Sequence, residues 1–288
     1  MGWLAAIILG VVEGITEFLP VSSTGHLTVT EKLLGLSIDS PDVTAFTAII
    51  QVGAILAAIV YFRRDIVRLA VGWFKGVFHK DQRGTDYRLG WAVIVGSIPI
   101  GVVGLALEDI IEGPLRSLWV VAAALAGWSV VMWLADRFAD RVARAQGRRV
   151  AGLRGEASLT VIDGLVIGLT QCLALIPGVS RSGATISAAL FRGIDRPTAT
   201  RWSFFLGIPA LTASGALQAY KAYDDIAAGV GWAATGVATA VSLVVAYAAI
   251  AWLLRFVASN RFTVFVVYRF FAAVVVAGLL LAGFIDAV

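Results

Sequence analysis

The sequence predicts an all-α polytopic membrane protein with an inverted-topology repeat, each half one re-entrant helix hairpin plus three transmembrane helices. Three observations predict it. Of 288 residues, 59% are hydrophobic and only 15% charged, whereas a soluble domain carries about a quarter charged. Lys and Arg collect on alternate connections between the apolar runs. A shift of 158 positions then lays one half of the chain on the other.

The elements follow in order. An apolar stretch at 3–19 breaks at "LPVSSTG" and resumes as a short piece at 27–35. Helix, break and helix together predict a hairpin, 3–35, because broken backbone at membrane depth needs protein around it. Crossing ~30 Å of hydrocarbon takes about twenty apolar residues, and runs of that kind lie at 42–62, 89–107 and 115–136. Between the first two, 64–80 mixes aromatics with cations and is expected along the inner interface. A second interrupted stretch at 158–176 breaks at "IPGVSRSG" and resumes at 184–191, predicting a hairpin over 158–192. Spans at 202–219, 231–254 and 262–284 complete the chain. The halves are 1–157 and 158–288, forming one integral membrane domain. No cation precedes Lys32, so the first residues are not expected to be a cleavable signal. The single Cys172 cannot form an intrachain disulfide.

Charge sets the orientation. Eighteen of the 23 Lys and Arg residues fall in 63–88, 137–157, 192–201 and at Arg255 and Arg261. The opposite connections hold only Lys32, Arg116 and Lys221, and carry acids instead: Asp39, Asp42, Glu108, Asp109, Glu112, Asp224, Asp225 and Asp286. With the basic side as cytoplasm, the first hairpin enters from outside and the second from the cytoplasm, and both termini lie outside. This placement of cations argues against a nucleic-acid partner despite the net charge of +4. The partner it implies is the bilayer.

The shift of 158 pairs Gly10 with Gly168, Val21 with Val179, Ser22 with Ser180, Gly25 with Gly183, Gly35 with Gly193 and Phe46 with Phe204. Glu13 falls on Gln171 and Thr24 on Ser182. Each half crosses the membrane an odd number of times, which inverts the second copy.

Reactive groups concentrate at the breaks. Glu13 and Glu17, four apart, share one helix face. Two carboxylates in a low-dielectric site require a proton or a cation between them. A structural ion pair is the bland alternative, but intramembrane acids are costly enough to point to function. Two carboxylates plus substrate phosphates are how Mg²⁺ is usually held. After Pro20, the run Ser22, Ser23, Thr24, Gly25 and His26 starts a new helix. Such hydroxyls are ordinary helix caps, yet a helix N-terminus is also an anion site. Ser180, Arg181, Ser182 and Gly183 repeat the pattern with a guanidinium suited to bidentate phosphate contact. Arg181 would alternatively neutralise Glu13 or Glu17. His26 lies three residues after Ser23 and is a candidate to take its proton. Gln51 and Gln171 are candidates for supporting polar contacts, and Arg269 is not assigned to the site. The set predicts phosphoryl chemistry, which depends on charge neutralisation and positioning, on a substrate whose other end is lipid.

At "LGVVEGITEFLPVSSTGH" (9–26) and "QCLALIPGVSRSGATIS" (171–187), supported by "IIQVGAILA" (49–57) and "YRF" (268–270), the chain resembles the undecaprenyl-diphosphate phosphatases of the bacitracin-resistance protein family. The similarity spans essentially the whole chain. It implies hydrolysis of undecaprenyl diphosphate to undecaprenyl phosphate and inorganic phosphate, aided by a divalent cation (Mg²⁺ or Ca²⁺). It also implies a bacterial cytoplasmic membrane location, an active site facing outward, carrier-lipid recycling for peptidoglycan, and bacitracin resistance. The family's acidic motif corresponds to Glu13 and Glu17, its hydroxyl cluster to Ser22, Ser23 and Thr24, its histidine to His26, and its arginine motif to Ser180, Arg181 and Ser182. The expected mechanism has Ser23 attacking the terminal phosphorus, with His26 or Glu17 as proton acceptor and Arg181 and the metal at Glu13 and Glu17 on the phosphate oxygens. A water nucleophile activated by His26 is the rival. A transporter or flippase of a phosphorylated lipid is the alternative function, because inverted repeats with broken helices also serve transport. The sequence leaves monomer and homodimer open.

Overall fold

The computed structural model describes residues 1–38, 40–147, 152–221 and 229–287. Asp39, Arg148, Arg149, Asp224 and Asp225, part of the charge asymmetry, lie outside the described residues, as do the side chains of Glu112 and Lys221. In chain order the α-helices are α1 (Trp3–Thr16), α2 (Ser23–Leu33), α3 (Pro41–Tyr61), α4 (Arg63–Phe78), α5 (Thr85–Ala106) and α6 (Glu108–Glu112). Then follow α7 (Leu118–Ala145), α8 (Val161–Gln171), α9 (Arg181–Phe191), α10 (Arg196–Lys221), α11 (Trp232–Val257) and α12 (Thr263–Leu281).

Length separates two kinds of helix. Among the described residues, α3, α5, α7, α11 and α12 are long and apolar enough to cross a membrane. By contrast α1 and α8, of 14 and 11 residues, reach only about 21 and 17 Å at 1.5 Å per residue. Neither alone is long enough to cross ~30 Å of hydrocarbon, and each is followed by a break and a second short helix, α2 or α9, that packs against it. The sixth expected span, 202–219, does form a helix within α10, but it is less apolar than the other five. Its first turns, Trp202, Ser203, Phe204, Phe205 and Leu206, are buried, and α10 packs on α3, α5 and α9. In its later turns, Pro209, Thr212, Ser214 and Leu217 are exposed.

The returning arms of the two hairpins are built alike. Each has 11 residues and starts after a serine with φ of 77°, Ser22 or Ser180. These are the only non-glycine residues with positive φ among those described, a backbone state uncommon for a side chain. Each arm ends at a glycine in the same left-handed region, Gly35 at 71° or Gly193 at 72°. There the next residue's N–H returns to a carbonyl five residues back, Leu36 to Glu31 and Ile194 to Ala189, the usual glycine-terminated helix end. The outgoing arms dock on long helices through backbone contact. A side chain at Gly10 would strike the Ala238 carbonyl of α11, and one at Gly168 would strike Gly96 of α5. Small residues permit that approach where helices pack without water.

The cations of the basic connections gather at one end. Buried Asp163 is bound by Arg154 at 2.6 Å and Arg192 at 2.8 Å, and it closes a capping box with Thr160 at the start of α8. Nearby, Arg196 pairs with Asp136 and Asp140, and Arg261 with Asp140. Helix α4 shows Val67, Phe74 and Phe78 on an exposed face and lays Gly72 and Gly76 against Asp86 and Tyr87 of α5.

Candidate active site

The two hairpin tips meet. The Gly178 N–H donates to Ser22 Oγ at 3.2 Å, and Ser182 Oγ donates to the Leu19 carbonyl at 3.0 Å. Arg269 of α12, fully buried, locks both tips: it donates to the carbonyls of Pro20 (3.3 Å) and Gly178 (2.8 Å) and to Ser129 Oγ (3.1 Å). Carbonyl oxygens rather than an acid or the lipid interface satisfy this guanidinium, which explains an intramembrane arginine outside the reactive set.

The reactive groups lie against this junction. The Glu17 backbone is still helical, so Glu13 and Glu17 sit one turn apart on the end of α1. Ser23, first residue of α2, donates from Oγ to Glu17 Oε2 at 2.6 Å. Arg181 Nη2 approaches Glu17 Oε1 at 3.4 Å, while Nη1 donates to the Ser203 carbonyl at 3.0 Å. The Arg181 guanidinium also lies over the Phe18 ring, 5.8 Å from its centroid. Gln51 Nε2 stands 3.5 Å from Glu17 Oε2. No hydrogen bond among the described residues engages the N–H groups of Ser23, Thr24 and Gly25, the first turn of α2. They present free donors and a positive dipole end beside the Ser23 hydroxyl.

Of the two acceptors expected for the Ser23 proton, Glu17 is in contact and His26 is engaged elsewhere. His26 Nδ1 lies 2.7 Å from the Ser22 carbonyl and Nε2 lies 2.6 Å from Tyr268 Oη. A carbonyl only accepts, so Nδ1 carries the proton, and in the neutral ring Nε2 accepts from the phenol. The two rings also stack, at 5.5 Å and 10°.

Two buried polar atoms have no partner here, Glu13 Oε1 and Arg181 Nε. Nearly every buried polar atom in a folded protein is paired, so an orphaned acceptor and an orphaned donor flanking one site are valences for a ligand. Glu13 and Ser23 line a cavity of about 210 Å³ that runs past Thr24 and Gln51 toward Arg116. Glu13, with its free oxygen, and Glu17 are the residues that would hold a divalent cation. No cluster of three or more His, Cys, Asp or Glu is present among the described residues. The donor set thus suits an ion that takes its remaining ligands from water and phosphate.

The remaining expected residues divide. Thr24 lines the cavity. Ser22, Ser180 and Ser182 are buried and their hydroxyls hold structure: Ser22 across the tips, Ser180 as cap to the Gly183 N–H at 3.2 Å, Ser182 to Leu19. Gln171 is buried with both amide atoms unpartnered, and hydrogen-bonds to none of the site residues. The sequence reading missed Tyr268, Ser203 and Gly207. A side chain at Gly207 would occupy the space of the Arg181 guanidinium. A glycine within a helix gives no such signal in sequence, whereas Tyr268 and Arg269 sit in the quoted "YRF".

A hydroxyl on a carboxylate, a guanidinium and a free helix start thus stand together inside a bundle of apolar helices, the setting of a membrane-embedded enzyme. The profile of the family described as Bacitracin resistance protein BacA matches residues 6–275, and the chain belongs to that family. It is 56% identical to the "Undecaprenyl-diphosphatase" of Cutibacterium acnes and 56% identical to the "Undecaprenyl-diphosphatase 3" of Frankia casuarinae, each over 100% of both chains. It is 51% identical to the "Undecaprenyl-diphosphatase 1" of Streptomyces avermitilis over 96% of both.

Proposed function

We propose that the protein hydrolyses undecaprenyl diphosphate to undecaprenyl phosphate and inorganic phosphate, with Ser23 as nucleophile and Glu17 as its base. The observation that carries this is the 2.6 Å bond from Ser23 Oγ to Glu17 Oε2 beside Arg181, within the reach a general base requires. Ser23 Oγ gives its proton to Glu17 and forms a bond to the terminal phosphorus as the bond to the bridging oxygen breaks. Undecaprenyl phosphate leaves. Glu17 passes the Ser23 proton to this departing lipid phosphate. When water attacks the phosphoserine, Glu17 takes one water proton and returns it to Ser23 Oγ as the Ser23–phosphorus bond breaks and phosphate departs. Arg181, through its free Nε, and the open N–H groups of α2 hold the phosphate oxygens where charge develops. A Mg²⁺ or Ca²⁺ ion at Glu13 and Glu17 would supply charge neutralisation at the same oxygens. The lipid product is the carrier for peptidoglycan, and removal of the diphosphate lipid that bacitracin binds gives resistance.

The inverted repeat belongs to this reading. Its support is the paired Ser22 and Ser180 backbones, the paired Gly35 and Gly193 helix ends, and the equivalent docking of Gly10 and Gly168. An outward-facing site in the bacterial cytoplasmic membrane is supported by the cavity's course toward Arg116, away from the basic layer around Asp163.

Phosphate release from a short-chain prenyl diphosphate in detergent tests the proposal. Wild-type protein should release phosphate and lose this on chelation, and Ser23→Ala should lose about a thousandfold or more. Near-normal turnover by Ser23→Ala would leave the water mechanism. No release at any metal concentration would leave the transporter.

A further inference from the structure

We propose that the outer end of the same cavity is a release station for inorganic phosphate, with Arg116 as its anion contact and Glu31 as the charge that keeps this contact weak. This rests on the hydrolysis reading above.

Beyond Ser23 and Glu13 the cavity continues to Glu31, Thr44, Thr47 and Arg116. Its 210 Å³ holds a tetrahedral anion together with waters of about 30 Å³ each. Arg116, half-buried in the short segment before α7, donates from Nη2 to the Ile38 carbonyl at 3.1 Å and reaches Thr44 Oγ1 at 3.5 Å. These neutral oxygens fix the guanidinium in place without cancelling its charge. Glu31, 5% exposed, is fixed by Thr47 Oγ1 at 2.7 Å. The two side chains line one space and are each held by other partners, Glu31 by Thr47 and Arg116 by the Ile38 carbonyl. Their charges act on whatever passes between them.

A dianion leaving Arg181 and the α2 helix start needs a second favourable position on its way out, or it rebinds. A lone arginine would only move the trap outward. A nearby fixed carboxylate lowers the affinity of that position, so the anion is passed on. Neither Arg116 nor Glu31 hydrogen-bonds to Ser23, Glu17 or Arg181.

The test is inhibition by added inorganic phosphate during hydrolysis of a short-chain prenyl diphosphate in detergent. Arg116→Gln should weaken inhibition about two- to fivefold and Glu31→Gln should strengthen it by a similar factor. Arg116→Lys, which keeps the charge, should stay near wild type and guards against a folding defect in Arg116→Gln. Opposite shifts at an unchanged KM for the lipid support a free-phosphate station. Shifts in one direction, no shift, or a parallel change in KM marking a headgroup contact would overturn it while leaving hydrolysis standing. A wild-type protein that releases no phosphate would overturn the hydrolysis reading itself.

Discussion

Two buried carboxylate clusters in this protein use the same residue types and are finished differently. At the start of α8, Asp163 accepts from Arg154, Arg192, the Thr160 hydroxyl and the Thr160 N–H, and both of its oxygens are engaged. At the end of α1, Glu13 keeps an oxygen and Arg181 keeps an Nε–H with no partner, although Glu13 is as deeply buried as Asp163 and the Arg181 side chain is only 9% exposed. A buried charge is tolerated when its hydrogen bonds are complete. The closed cluster therefore fixes the entry of a hairpin, and the open one stores unmet valences that a diphosphate and its cation would fill. Burial and charge alone do not separate the two; the orphaned atoms do.

Four substitutions break or sharpen that contrast. Glu17→Gln, in the open cluster, removes the Ser23 acceptor and the Arg181 partner together. Turnover should fall about a thousandfold, with a melting temperature near wild type in detergent. Asp163→Asn, in the closed cluster, should do the reverse. It leaves Arg154 and Arg192 unpaired and should cost about 2 kcal/mol, discounted because both arginines are more than a third exposed. Thermal unfolding would show the loss, and activity per folded molecule should persist. Gly207→Ala crowds the Arg181 guanidinium. Displacing a positioned group by about an ångström should lower kcat about tenfold or more with little change in KM. Tyr268→Phe removes the phenol from His26 Nε2 and should change kcat only about threefold, consistent with one neutral hydrogen bond. A Tyr268→Phe loss as large as that of Glu17→Gln would move His26 to the centre of the chemistry.

Much of the site was legible because its chemistry is local in sequence. Glu13, Glu17 and Ser23 fall within eleven residues on one helix end and the next helix start, so helical periodicity aligns the two acids and a short break keeps Ser23 close to them. Arg181 was legible as the only cation in the matching break. The serines were legible as a motif but not as to role: the sequence does not show that Ser22 and Ser182 serve the opposite hairpin, because those partners are 156 and 163 residues away. Arg269 was visible as an intramembrane charge, yet its acceptors are backbone carbonyls, which carry no residue signature. Gly207 and Ser203 act through space left or a carbonyl offered, and both are silent in a hydropathy profile.

The sequence by itself determined a helical membrane protein, its two interrupted hairpins, its charge asymmetry and its reactive residue types, because periodicity, run length and charge act over neighbours along the chain. Only the tertiary structure decided that Glu17 rather than His26 takes the Ser23 hydrogen bond and that Arg269 joins both tips. It also left Glu13 and Arg181 each with an unused polar atom. Those outcomes depend on which distant backbones approach one another, and at such contacts directional hydrogen bonds, not hydrophobicity, choose the partner.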